Sequence, residues 1–229
     1  MGLSYTRTMG PQRTPVHQTL DVRGKSITTY IAYQAADALR GMDDGSVLEL
    51  RTDAAEAIDN DMRAGCEATG NRLLSTEHDG TSTLYQIEKR SAPPRSRTLA
   101  MVVSDAGLEE LLSPLAFALA AALEGTGVSI YFQGPAVRVL TRDFKAQLHG
   151  LSRPFSRFAR RGMERTGHVS PQEKIAQLRQ LGAHLYICGP SMQHFRVSKD
   201  ELAYDDVIVA EYLTFMAVME QADTQIFVQ

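Results

Sequence analysis

Apolar residues fall at Ile31, Ala35, Ala38, Leu39 and Met42. Steps of three and four positions predict a helix from Thr28 to Met42. Ahead of it, Val16 to Val22 alternates weakly, as a strand does. Behind it, Asp44-Gly45 signals a turn and Val47 to Leu50 reads as a short strand. A second helical pattern covers Ala54 to Ala68 and stops at Gly70. Arg72 to Glu77 and Thr83 to Glu88 flank Asp79-Gly80 and read as a β-hairpin. The order βαβαββ predicts a two-layer sandwich, two helices on one face of a four-stranded mixed sheet.

The pattern changes after Ser91 to Arg97, where paired prolines between polar flanks resist helix and sheet. Thr98 to Ser104 is an apolar strand, Leu108 to Leu123 a helix, and Val128 to Phe132 the next strand. Gly134-Pro135 opens a short helical turn through Leu140. Ser170-Pro171-Gln172-Glu173 is a helix start: Ser caps, Pro takes the first helical position and Glu reaches back. That helix runs to Leu181, and His184 to Ile187 is a third strand. Ser198 to Glu201 repeats the capping-box pattern, Asp206 to Gln221 reads as helix, and Thr224 to Val228 closes as a strand. Apolar strands joined by helices predict a three-layer α/β/α domain with a mostly parallel sheet. The expected division is an α/β chain with a flexible tail at 1–15, a first domain at 16–90, a linker at 91–97 and a second domain at 98–229.

Composition narrows the function classes. The chain has 229 residues, a formal charge of −3 and two cysteines. That balance does not point to nucleic acid, and two distant cysteines make no disulfide framework. Met1 to Gln18 lacks the apolar run of a signal peptide, and Pro114 to Leu123 is too short to span a bilayer. A cytoplasmic protein without membrane attachment is expected. The cysteines and the scattered histidines show no metal-ligand spacing, so no metal is expected.

Candidate chemistry centres on Cys188, placed where an apolar strand should end and followed by Gly189, Pro190 and a short helical pattern. A helix N-terminus beside the sulfur favours thiolate, the nucleophilic form. The same position also suits a buried structural cysteine. Gln133, Gly134 and Pro135 follow another strand end and could line the same crevice, since ligands of open parallel sheets bind beyond the strands' carboxyl ends. Gly189 and Ser191 belong to the turn that follows the thiol. His194 and Arg196 could stabilise a thiolate if they fold back; a solvated or packed role is the alternative for both. His184 lies at the opposite strand end, and Cys66, among Ala64, Gly65 and Ala68, reads as core. Eight basic residues between Arg138 and Arg165, interleaved with Phe155, Phe158 and Met163, form a lid, a docking surface for an acidic partner, an RNA-binding segment or a solvated loop. Tyr204, Tyr212, Phe215 and Met216 suit either an interface or the domain's own core.

Both halves resemble known sulfur-relay families. Leu20-Asp21-Val22-Arg23-Gly24, Leu39, Asp44-Gly45, Leu48, Asp53 and the closing hairpin resemble TusA-like (SirA-like) sulfur carriers. That family carries Cys-Pro-x-Pro after its Arg-Gly pair. Here Ile27 stands at the cysteine position, with Thr28 and Tyr30 at the prolines, so no side chain there can carry sulfur. Residues from Thr98 onward resemble DsrE-like (DsrE/DsrF) proteins, including predicted peroxiredoxins. The strand Val128 to Phe132 running into Gln133-Gly134-Pro135-Ala136-Val137 carries this likeness. So do the block Leu185 to Met192, Asp200-Glu201-Leu202 and the final strand. The resemblance implies that Cys188 is the sulfur-accepting position, that no organic cofactor is needed, and that the protein forms homo-oligomers. It implies a sulfurtransferase or persulfide carrier exchanging sulfur with donor and acceptor proteins or low-molecular-weight persulfides. The missing carrier cysteine motivates a second reading, a non-enzymatic binding or assembly protein of sulfur metabolism.

Overall fold

The computed structural model describes residues 15–90, 97–147 and 169–228. The expected tail and linker fall almost wholly outside them, as do the five arginines of the basic segment from Arg153 onward.

The first sheet has the order β1-β2-β4-β3: β1 (Gln18–Asp21) lies parallel to β2 (Val47–Asp53), and β2 pairs antiparallel with β4 (Ser82–Glu88), as β4 does with β3 (Arg72–His78). Helices α1 (Thr28–Arg40) and α2 (Glu56–Thr69) supply Ile31, Leu39, Ile58 and Met62 to a core closed by Leu48, Leu50, Tyr85 and Ile87 of the sheet. Alternate strand residues share a face, so both helices cover one side of the sheet. Strand β2 outruns its expected end at Leu50 because Arg51, Thr52 and Asp53 pair with Leu84, Thr83 and Ser82. Those polar residues carry no alternation signal, yet Thr52, Ser82 and Thr83 are buried in the ladder. The hairpin forms at Asp79-Gly80. Gly80 takes φ +92, and the Asp79 carboxylate accepts from the Ser82 amide (2.7 Å) and hydroxyl (2.7 Å).

The second sheet is all-parallel, with order β8-β7-β6-β5-β9. Its strands are β5 (Thr98–Val103), β6 (Gly127–Phe132), β7 (His184–Cys188), β8 (Ile208–Ala210) and β9 (Thr224–Val228). From β5 to β8 the chain advances in one direction, through α3 (Leu108–Leu123), a 3₁₀ turn (Gly134–Leu140), α4 (Pro171–Gln180) and α5 (Gly189–Phe195). It then returns from β8 to β9 through α6 (Tyr212–Glu220). Right-handed crossovers place α3 and α4 on one face, and the reversal places α6 on the other. The result is the expected three-layer α/β/α arrangement beside a small mixed sheet. Among the described residues no helix is long and apolar enough to cross a membrane.

One expected element is corrected. The helix predicted from Asp206 to Gln221 is a strand, β8, followed by a shorter helix beginning at Tyr212. Ile208, Val209 and Ala210 pair with Tyr186, Ile187 and Cys188, and the β-branched pair suits a ladder better than a helical turn. The Ser198–Glu201 capping box forms, but around a single 3₁₀ turn (Lys199–Glu201). At α4 the Ser170 hydroxyl accepts from the Glu173 amide at 3.2 Å, as its sequence predicts.

The two sheets meet through helices. Tyr33 of α1 is buried in the core of the second sheet, and its hydroxyl donates to the Gln180 side-chain carbonyl. Lys174 of α4 is 2% exposed and donates to the Leu112 carbonyl of α3 at 2.8 Å.

Candidate functional site

Cys188 is the last residue of β7 and the residue from which α5 starts, at φ −70 and ψ 115. Its neighbour across the ladder is Ala210, the last residue of β8, and α6 begins two residues later. The thiol therefore lies at the carboxyl edge of the sheet, beside the first turns of two helices. It is fully buried, at 0% exposure.

Strand parity explains what covers it. Tyr131 and Tyr186 are register partners, and Cys188, two residues beyond Tyr186, projects from the same face. That face belongs to α6, whose Phe215 stacks on Tyr131 at 4.8 Å and meets Tyr186 edge-on at 5.2 Å. Tyr131 is 2% exposed, and its hydroxyl approaches the Ala210 carbonyl at 3.5 Å. Burial, and then a hydrogen bond with the Cys188 thiol, push the Tyr131 phenol far above its ordinary value. The phenol thus stays protonated and can donate to a sulfur anion. Sequence reasoning missed Tyr131. It lies 57 positions from Cys188, and only the β6–β7 register brings the two together.

The other expected residues divide into two groups. Gln133, Gly134 and Ser191 meet at the same sheet edge. The Gln133 amide donates to the Ser104 hydroxyl at 3.0 Å, and the Gly134 N–H donates to the Ser191 hydroxyl at 3.0 Å. Gly134 is required there: its φ is +53, and a Cβ would stand 3.3 Å from the Ser104 carbonyl. Its N–H is committed to Ser191, so it is no open donor for an anion. Pro135 is exposed in the first turn of the 3₁₀ segment. Gly189 continues the chain from Cys188, and a Cβ on it would reach Val209 at 3.6 Å.

His194 and Arg196 form the second group and do not fold back. They sit at the far end of α5, about 10 Å from its start at 1.5 Å of rise per residue. The His194 ring lies edge-on to Phe195 at 4.8 Å. Arg196 terminates α5 in the left-handed region, at φ 55. It lines a separate cleft with Arg138, whose guanidinium lies over Phe195 at 5.3 Å, and Arg142, which donates to the Asp200 carbonyl at 2.5 Å. Three residues of the basic segment, Arg138, Arg142 and Lys145, are described; Arg138 and Arg142 belong to this cleft.

Cys66 occupies the first core at 8% exposure, where burial pushes its thiol up to about 11. It is a packing cysteine in this state. Among the described residues no group of three or more His, Cys, Asp or Glu side chains is arranged to hold a metal ion.

Residues 98–228 match the DsrE/DsrF-like family. No curated protein sequence matches the chain. Among solved structures, the ychN protein from E. coli aligns at 15% identity and a TM-score of 0.43, covering 58% of this chain and 99% of that one.

Proposed function

This chain belongs to the DsrE/DsrF-like family through residues 98–228, and from that premise we propose that it is a sulfur-relay protein carrying a persulfide on Cys188. The observation that carries the reading is the position of Cys188 at the carboxyl edge of a parallel sheet, between two helix starts and beside a protonated phenol. In the reaction the Cys188 thiolate attacks the terminal sulfur of a donor persulfide. The donor's S–S bond breaks, its thiolate leaves and takes up a proton, and the transferred sulfur remains as a Cys188 persulfide. An acceptor thiolate then attacks that outer sulfur and regenerates the Cys188 thiolate. Tyr131 donates a hydrogen bond to whichever sulfur anion is present. Because the thiol is sealed from water, transfer runs through an opened state in which α6 moves off the sheet.

Residues 16–90 serve, in this reading, as a TusA-like docking or regulatory domain whose carrier position is Ile27. The second copy needed for a homo-oligomer would meet the exposed apolar residues of α6. Tyr212, Leu213 and Met216 are 59%, 87% and 47% exposed, whereas Phe215 belongs to the chain's own core and Tyr204 packs on Arg179 at 4.0 Å. Free, buried cysteines suit a reducing cytoplasm.

Complete burial of Cys188 favours one other reading, an assembly protein that moves no sulfur. One experiment separates the two. Wild type, Cys188→Ser and Cys66→Ser are incubated with inorganic polysulfide and weighed intact. Sulfur-relay function requires added sulfur on wild type and Cys66→Ser but not on Cys188→Ser. Its absence from wild type under conditions that open α6 would overturn the proposal.

A further inference from the structure

We infer that the apolar cleft between α1, α2 and α3 is a binding site for a small apolar molecule whose polar end is neutral or cationic. The cavity measures about 160 Å³ and lies where the helices of the first sheet meet α3 of the second. Leu39, Met62, Ile87 and Cys66, all nearly or fully buried, line it together with the small residues Ala36 and Gly65. Its walls are mainly apolar and it opens to solvent on one side, so a benzene-sized guest can enter and displace water from apolar surface.

Gly65 is an independent sign that the space is kept. It sits inside α2, where glycine weakens a helix. Its backbone is not left-handed, and a Cβ would meet nothing within 4 Å. Neither conformation nor crowding calls for glycine here; its effect is to leave the cavity larger. Two polar residues of the lining, Thr69 and Asn71, are engaged with the protein itself. The Thr69 hydroxyl donates to the Gly65 carbonyl at 2.7 Å, and Asn71 donates to Thr69 at 2.9 Å while accepting from the Arg90 amide at 2.9 Å.

Charge sets the polarity of the guest. Among the described residues the charged side chains in the lining are Asp61 and Glu124, both exposed carboxylates, and none is basic. An anionic end would meet like charge, whereas an amine or hydroxyl would be accommodated. A guest bridging α1, α2 and α3 would also bind the two sheets together, which gives the first sheet a role independent of sulfur.

The full chain is tested with benzylamine, benzyl alcohol and benzoate at millimolar concentration. Two readouts are followed, the thermal midpoint and the rate of Cys66 alkylation by N-ethylmaleimide. Benzylamine and benzyl alcohol should raise the midpoint by a few degrees and slow Cys66 several-fold; benzoate should do neither. Gly65→Leu and Ala36→Leu fill the cavity and should remain folded while losing the response. The proposal fails if no probe protects Cys66 in wild type, if benzoate protects as well as benzylamine, or if a folded, filled variant responds as wild type does.

Discussion

Phe215→Leu tests whether α6 is the cover over Cys188. Phe215 is 2% exposed, stacked on Tyr131 at 4.8 Å and edge-on to Tyr186 at 5.2 Å. Leucine keeps most of the apolar burial and loses both ring contacts. Each aromatic pair contributes about 0.5–1.5 kcal/mol beyond burial, so the variant loses about 1–3 kcal/mol, less whatever leucine recovers by repacking. Helix α6 buries only Phe215 and Met219, so the loss falls on the opening of this helix more than on the whole fold. Taking a net of about 1–2 kcal/mol at about 1.4 kcal/mol per decade, opening becomes roughly 5- to 30-fold more frequent. The assay is alkylation of Cys188 by N-ethylmaleimide in a Cys66→Ser background, read by intact mass where reclosing outruns reaction. Its rate should rise by the same factor while the urea midpoint of the rest of the chain moves little. An unchanged rate in a folded variant would refute the reasoning. So would an acceleration that merely tracks global unfolding.

Two further outcomes follow from buried charge and backbone strain. Burial pulls Lys174 from 10.5 down to about 8, so between those values the unfolded chain holds a proton that the folded chain lacks, and stability should rise with pH. Above pH 9 Cys66, pushed up to about 11, keeps a proton that the unfolded thiol loses, and this opposing slope offsets the Lys174 rise up to 10.5. Urea midpoints at constant ionic strength should therefore rise between pH 8 and 9 and then level off, and Lys174→Met should abolish that rise; a flat wild-type profile between pH 8 and 9 contradicts the assignment. Arg196 is the only non-glycine residue with positive φ among those described. Arg196→Gly should raise stability by about 1 kcal/mol in thermal melts, and a loss would mean that its side chain holds the neighbouring cleft together.

Much of the architecture is legible along the chain because it is encoded over short distances. The 3.6-residue spacing of α1 needs only thirteen consecutive residues. The Asp79-Gly80 turn writes its own hydrogen bonds into Ser82. The apolar runs of β5 and β6, the Ser170 cap and the strand–cysteine–helix junction at Cys188 are equally local. Element β8 was not legible: three β-branched and small residues at a sheet edge look like the first turn of the helix that follows them. The pairing with β7 that makes them a strand lies outside any local window.

What the amino-acid order determines by itself is the identity of the elements other than β8 and the placement of a single thiol at a strand end. What tertiary structure decides is which side chains share its surroundings. Register sets Tyr131 beside Cys188, the handedness of the return crossover lays α6 over both, and the straight run of α5 carries His194 and Arg196 away from a sulfur only a few residues distant in sequence. The cavity between α1, α2 and α3 likewise exists only where two separately patterned sheets meet. The physical reason is one of range: periodicity, capping and turn chemistry act over a few residues, whereas burial and contact depend on how non-local elements pack.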